Sequence, residues 1–211
     1  MKTTGTCMCW KPPELLTLSL GSTTGGYPLS FGSNWTLKLA GQVPIGNWDQ
    51  YAQRVDPVSQ EDVRYWPLAT LWSDEDNWIE LIANCKDKAF QLRYKSGSGE
   101  PVPHNFGVGD QLWLPDSTLM VAISWDATSH KLYFGATLAG GVVATAPDDG
   151  ILVQSWNGQT APLSQLKFRG ASDEVVEFRW IGGEFTDQPM TSTEIKASAF
   201  NSIDFMKGPP V

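Results

Sequence analysis

Bulky apolar residues recur at every second position in four separate stretches of the chain. Trp35, Leu37 and Leu39 alternate with Thr36 and Lys38, and Phe90, Leu92 and Tyr94 alternate with Gln91, Arg93 and Lys95. Leu119, Val121, Ile123 and Trp125 alternate with Met120, Ala122 and Ser124, and Val176, Phe178 and Trp180 with Glu177 and Arg179. A two-residue period puts alternate side chains on opposite faces of a strand. Each stretch therefore offers one bulky apolar face, and two sheets meeting through such faces predict an antiparallel β-sandwich.

Turn chemistry separates these runs. Ser96-Gly97-Ser98-Gly99 follows one strand, Asp126-Ala127-Thr128-Ser129 joins two others, and Pro147-Asp148-Asp149-Gly150 precedes Ile151-Leu152-Val153. Asn157-Gly158 has the composition of a tight hairpin turn. One stretch reads as helix: Thr191-Ser192-Thr193-Glu194 has capping-box spacing, which predicts a short helix over about 191–198. The ends differ from the middle. Residues 1–28 hold Trp10, Pro12, Pro13, Leu15, Leu16, Leu18 and Leu20 before Gly25-Gly26, and read as an N-terminal arm or an added strand. As an arm, they would present Trp10, Leu16, Leu18 and Leu20 for assembly with a neighbouring subunit or another protein. Residues 199–211 end in Gly208-Pro209-Pro210-Val211 and read as an extended tail, which leaves 29–198 as the sandwich. No long linker divides the 211 residues, so one domain is expected.

The segment 119–138, LMVAISWDATSHKLYFGATL, resembles the laminin-G-like domains of the concanavalin-A-like lectin/glucanase superfamily. There, a strand ending in Trp-Asp is followed by a Leu-Tyr-Val-Asn-Gly hairpin, with Gly135-Ala136 standing here at the Asn-Gly place. LWSDEDNWIEL over 71–81 is similar to the upstream strand pair. VVEFRW over 175–180 and FTDQPMTSTEI over 185–195 resemble the closing strand and its short helix. The resemblance covers about 110–196 most closely and 29–100 more loosely. It implies an all-β, two-sheet antiparallel jelly roll with one short helix near the C-terminus, and it does not cover the extended terminal arms. Members include lectins, carbohydrate-binding modules, β-glucanases, adhesion domains and domains of viral or phage particles, so the fold leaves function open.

Charge and thiols narrow the field. With 15 Lys and Arg against 23 Asp and Glu, the net charge is −8 and the basic residues are scattered. Nucleic-acid binding needs clustered cations, and an acidic surface disfavours anionic membranes; neither partner is expected. No run approaches the roughly 18 apolar residues of a membrane span. Thr3-Thr4-Gly5-Thr6-Cys7 offers no apolar leader core, from which we expect synthesis in a cytosol. Three Cys do not make a secreted disulfide framework. Cys7 and Cys9 read either as free thiols or as an intersubunit disulfide formed after release. Cys85, in the strand-like run 81–85, reads as buried and inert.

The residues closest to a catalytic set are Asp74-Glu75-Asp76-Asn77-Trp78-Ile79-Glu80. Glycoside hydrolysis needs two carboxyls about 5–5.5 Å apart for retention or about 6.5–9.5 Å for inversion. On a regular strand Asp76 and Glu80 share a face but lie roughly 13 Å apart, and Glu75 points the other way. An acidic turn entering a strand fits better, with Asp74 and Asp76 as candidate Ca²⁺ ligands. No cofactor other than Ca²⁺ is suggested. His104 and His130 fall in loops with no catalytic motif around them and are expected at the surface.

Ten Trp is a high count for this length. Trp35, Trp125 and Trp180 have core parity. Trp78 does not, since Ile79 and Leu81 occupy the opposite face. Trp48, Trp66, Trp72, Trp78, Trp113 and Trp156 are the candidates for contact with sugar or with a protein partner.

Together these features point to a non-catalytic structural and adhesion or recognition module. The expected setting is a virion component, such as a phage neck, tail, fibre or capsid-decoration protein. It would form a homo-oligomer, contact other structural subunits and bind cell-surface polysaccharide. A free-standing lectin or carbohydrate-binding module is the alternative, and a β-glucanase-like hydrolase the third reading.

Overall fold

The computed structural model describes residues 3–4, 16–19, 30–42, 65–84, 89–106, 118–138, 143–145, 149–156, 163, 165–168 and 179–201. In chain order its strands are β1 (Thr3–Thr4), β2 (Leu16–Ser19), β3 (Trp35–Gln42), β4 (Tyr65–Asp74), β5 (Asn77–Asn84), β6 (Ala89–Ser96) and β7 (Val102–Phe106). Then follow β8 (Thr118–Asp126), β9 (Lys131–Leu138), β10 (Val143–Thr145), β11 (Ile151–Leu152), β12 (Gln165–Phe168), β13 (Arg179–Thr186) and the helix α1 (Ser192–Asn201). They build two antiparallel sheets. The first runs β1-β13-β3-β8-β9-β10, with β11 also on β9, and the second runs β2-β12-β4-β5-β6-β7. This is the all-β sandwich that the alternation predicts. No helix among the described residues is long and apolar enough to cross a membrane.

The core follows the parity of the sequence. Trp35, Leu37, Leu39, Val121, Ile123, Trp125, Leu132 and Phe134 are buried from the first sheet. Leu71, Ile79, Leu81, Phe90, Leu92 and Tyr94 are buried from the second. Rings close one end of the sandwich. Trp156, in a 3₁₀ turn over Gln154–Trp156, stacks on Phe31 at 4.0 Å and meets Trp125 edge-on at 5.4 Å. It also meets Tyr94 of the second sheet at 5.3 Å.

The small and polar positions of the first sheet are buried as well, because the chain after β13 lies across them. Thr36 Oγ1 donates to the Gln188 carbonyl (2.7 Å), and Ser124 Oγ accepts from the Met190 N–H (2.7 Å). Ala122, Tyr133 and Ile195 of α1 form an apolar cluster there with Met190. The capping box is present: Glu194 N–H donates to Thr191 Oγ1 (3.3 Å), and Thr191 N–H to the Glu194 carboxylate (2.7 Å). The helix runs to Asn201, past the expected end near 198, since no Gly or Pro intervenes until Gly208.

The turn expected at Asp126–Ser129 is present, and one expectation, a turn at Gly135-Ala136, needs correction. The hairpin after Trp125-Asp126 turns at 127–130, where Asp126 Oδ1 accepts from the Thr128 and Ser129 N–H groups. Gly135 and Ala136 do not turn; they lie mid-strand opposite Ala122 and Val121. Asn157-Gly158 lies outside the described residues. The N-terminal segment supplies added strands to its own sandwich. Leu16 and Leu18 stand opposite Phe168 and Leu166, and Thr3 opposite Phe185.

Candidate functional site on the β4–β5–β6 face

The acidic run forms a hairpin, in keeping with its reading as an acidic turn entering a strand. Asp74 pairs with Asn77 across a two-residue loop of Glu75 and Asp76. Asp74 Oδ1 accepts from the Asp76 N–H and from Asn77 Nδ2, both at 2.9 Å. A short acidic side chain that satisfies local donors favours such a turn over continued strand. Asp76 is ion-paired with Lys95 at 2.8 Å. Asp74 and Asp76, the candidate Ca²⁺ ligands, are thus engaged in the turn and in an ion pair. Among the described residues no group of three His, Cys, Asp or Glu is placed to hold a metal ion.

Beyond the hairpin, β4, β5 and β6 present two adjacent rungs on the face turned away from the first sheet. One rung is Trp72, Trp78 and Lys95; the next is Thr70, Glu80 and Arg93. Both indoles are half-buried. Glu80 is only 4% exposed. Its Oε2 lies 2.5 Å from Arg93 Nη2, and its Oε1 accepts from Thr70 Oγ1 at 3.3 Å. The Arg93 guanidinium stands 5.6 Å from the Trp78 ring centroid, a cation–π contact that contributes about 0.5–1 kcal/mol. Farther along the same face of β6, Gln91 Nε2 donates to Asn105 Oδ1 at 2.9 Å. Lys95 also donates to the Glu75 carbonyl (3.1 Å), and the hydrogen bond to Asp76 holds its ammonium above the usual lysine value.

The six candidate Trp therefore separate. Trp72 and Trp78 come together as a cross-strand pair. Trp66 stands opposite Ala83 in β4, with its side chain outside the described residues. Trp48 and Trp113 lie outside them, as do Trp10, Leu20, Cys7, Cys9 and Cys85. Trp156 is not a surface residue. It is fully buried, because the loop carrying it folds between the sheets. His104 also departs from expectation. It belongs to β7 opposite Leu92, so it points inward, stacks on Tyr94 at 5.7 Å and approaches Phe134 at 6.3 Å. Burial pushes its pKa below the ordinary histidine value. His130 does occupy the hairpin loop, with φ 55°, and its carbonyl accepts from Val153 N–H at 2.9 Å. Arg93 and Thr70 were not singled out from sequence. The one signal for Arg93 is its outward parity in the Phe90–Leu92–Tyr94 run, one step from Glu80 across the sheet.

No family model matches the chain, and no curated protein matches it. Solved structures do. The binding domain of Paraclostridial mosquitocidal protein 1 is similar at TM-score 0.56 and 10% identity, over 96% of this chain and 47% of that one. The binding domain of botulinum neurotoxin serotype G is similar at TM-score 0.52 and 8% identity, over 95% and 46%. The chain thus spans about half the length of these two toxin domains. The CBM40 of the Ruminococcus gnavus IT-sialidase, bound to α2,3-sialyllactose, is similar at TM-score 0.51 and 10% identity, over 94% of this chain and 97% of that one. At such identities the likeness concerns architecture, and it supports a two-sheet β-sandwich.

Proposed function

We propose that this chain is a non-catalytic recognition module that takes carbohydrate on its β4–β5–β6 face. The observation that carries the reading is the Trp72–Trp78–Lys95 rung beside the Thr70–Glu80–Arg93 rung. An indole held in place by a guanidinium offers a flat apolar surface of low conformational freedom. Such a surface suits the C–H face of a pyranose, while neighbouring amides and charged groups suit its hydroxyls. Two further observations support it. A module of the same architecture is known with a sialylated sugar bound. The acids that would have to hydrolyse a glycosidic bond are otherwise engaged: Asp74 in the turn, Asp76 with Lys95, and Glu80 with Arg93 and Thr70.

The test is a glycan array probed with the wild-type chain and with Trp78→Ala, with circular dichroism melts to confirm that both are folded. A set of glycans bound by the wild type and lost in the folded variant is expected. A folded wild type that binds no glycan, or a variant that keeps the full set, overturns the proposal.

A further inference from the structure

Resting on that carbohydrate reading, we infer that the β4–β5–β6 face selects uncharged pyranose glycans and refuses anionic ones. Arg93 serves there as a positioning residue for Trp78 rather than as a hook for a ligand carboxylate.

The inference comes from where the two cations of the face are committed. Carboxylate recognition by arginine uses two parallel N–H groups. In Arg93, Nη2 is on Glu80 and Nε is buried. The Nε–Nη2 edge is turned into the protein, and the outward Nη1–Nη2 edge belongs to a guanidinium whose charge the Glu80 carboxylate already compensates. Drawing Arg93 away would strand the Glu80 carboxylate, which is 4% exposed and keeps only Thr70 as a further partner. A buried carboxylate without its cation is strongly disfavoured.

Lys95 is committed in the same way. It bonds to the Asp76 carboxylate and the Glu75 carbonyl, and Asp76, Glu100 and Glu75 all act on it electrostatically. Those acids, with Asp74, line the hairpin end of the face and are exposed. An approaching sialic or uronic acid therefore meets neutralised cations and the further carboxylates of Asp74, Glu75 and Glu100, on a chain whose net charge is −8. A neutral sugar meets the Trp78 indole and, where β6 pairs with β7, the exposed Asn105 amide, whose Oδ1 takes the Gln91 N–H.

The experiment is titration calorimetry on the full chain with matched probes: neutral gluco-, galacto- and manno-oligosaccharides, sialyllactose, and an oligouronate, each at low and high salt. A second protein, Glu80→Gln, frees Arg93 without removing it. The wild type is expected to bind at least one neutral probe, with little change on adding salt, and the anionic probes about tenfold more weakly or not at all. Glu80→Gln is expected to gain affinity for the anionic probes, with a salt-sensitive component. Equal or tighter wild-type binding of an anionic probe overturns the selectivity while leaving the carbohydrate reading in place. A folded Glu80→Gln that gains nothing overturns the assignment to the ion pair. A folded wild type that binds no probe overturns both.

Discussion

Arg93 Nη2 lies 2.5 Å from Glu80 Oε2 while the same guanidinium stands over the Trp78 ring. One side chain thus compensates a buried carboxylate and fixes an aromatic surface. Its own side chain remains 40% exposed, against 5% for Glu80, so the two partners are not equivalent. Losing Arg93 leaves a buried charge behind, whereas losing Glu80 leaves a cation that water can reach.

That asymmetry gives the first prediction. Arg93→Met is expected to destabilise the fold by about 1–3 kcal/mol, the cost of an unsatisfied buried polar group. Glu80→Gln is expected to cost less. The double variant Glu80→Gln/Arg93→Met should recover part of the Arg93→Met loss, because removing both charges leaves none orphaned. Urea denaturation of the variants measures this. A double variant as unstable as the sum of the two single losses would mean the pair is not coupled.

A second prediction concerns pH. His104 is stacked on Tyr94 between the sheets, and its Nε2 is buried without a hydrogen-bond partner among the described residues. Its pKa is lowered by burial, so the unfolded chain binds the proton more readily than the folded one. Stability then rises with pH. The contribution of His104 is constant above its unfolded pKa of about 6.5, and stability is lost as pH falls from there toward the lower folded value. Asp126 does not share that window. Burial alone would raise its pKa, but hydrogen bonds from Ser129 and Thr128 hold it below the ordinary carboxylate value. Melts between pH 7.5 and about 5 should show a decline that flattens in His104→Phe. An unchanged slope in that variant would remove His104 as the cause.

Two glycines with positive φ should respond differently to alanine. Gly150 has φ 72°, and an added Cβ would come within 2.6 Å of the Tyr133 ring. Gly97 has φ 75° but open space around the same position. Gly97→Ala should cost about 1 kcal/mol for the backbone conformation alone. Gly150→Ala adds a clash with a buried ring and should cost about 1–3 kcal/mol more. Equal losses in denaturation experiments would show that Tyr133 moves aside freely.

Residues such as Trp35, Leu81, Leu92 and Val121 explain why the architecture was legible in the chain. Their period is local, and each is buried on the face that its parity predicts. The capping box is local too, since Thr191 and Glu194 bond to each other. What escaped the sequence depends on pairing between distant segments. His104 looks like a loop residue until β7 pairs with β6 and turns it inward. Trp156 looks like an edge residue until its turn inserts beside Phe31, 125 positions earlier in the chain. The candidate site was half visible. Trp78 stands out by breaking core parity, but its link to Arg93 exists only through the β5–β6 register. The acidic hairpin was legible because its turn is local: Asp74 satisfies donors two and three residues on.

The last prediction concerns the N-terminal segment, which the sequence leaves open between an added strand and an arm that crosses to a neighbour. Leu16–Ser19 pairs with β12 of its own chain, and Thr3–Thr4 pairs with β13. Deleting residues 1–24 would remove an edge strand from each sheet and leave the Gln165–Phe168 edge unpaired, an invitation to association through bare backbone groups. For a chain of this size each kcal/mol lost shifts the melting temperature by about 2–4 °C, so the loss of a few kcal/mol would lower it by roughly 5–10 °C. Differential scanning calorimetry and light scattering on the full-length and shortened chains should therefore show a lower melting temperature, with no loss of a defined oligomer. The opposite pattern, an unchanged melting temperature with a defined oligomer falling to monomer, would mean that in solution these strands complete a neighbouring subunit. In that case Trp10, Leu16, Leu18 and Leu20 would belong to an assembly contact, and Cys7 and Cys9 would lie beside it.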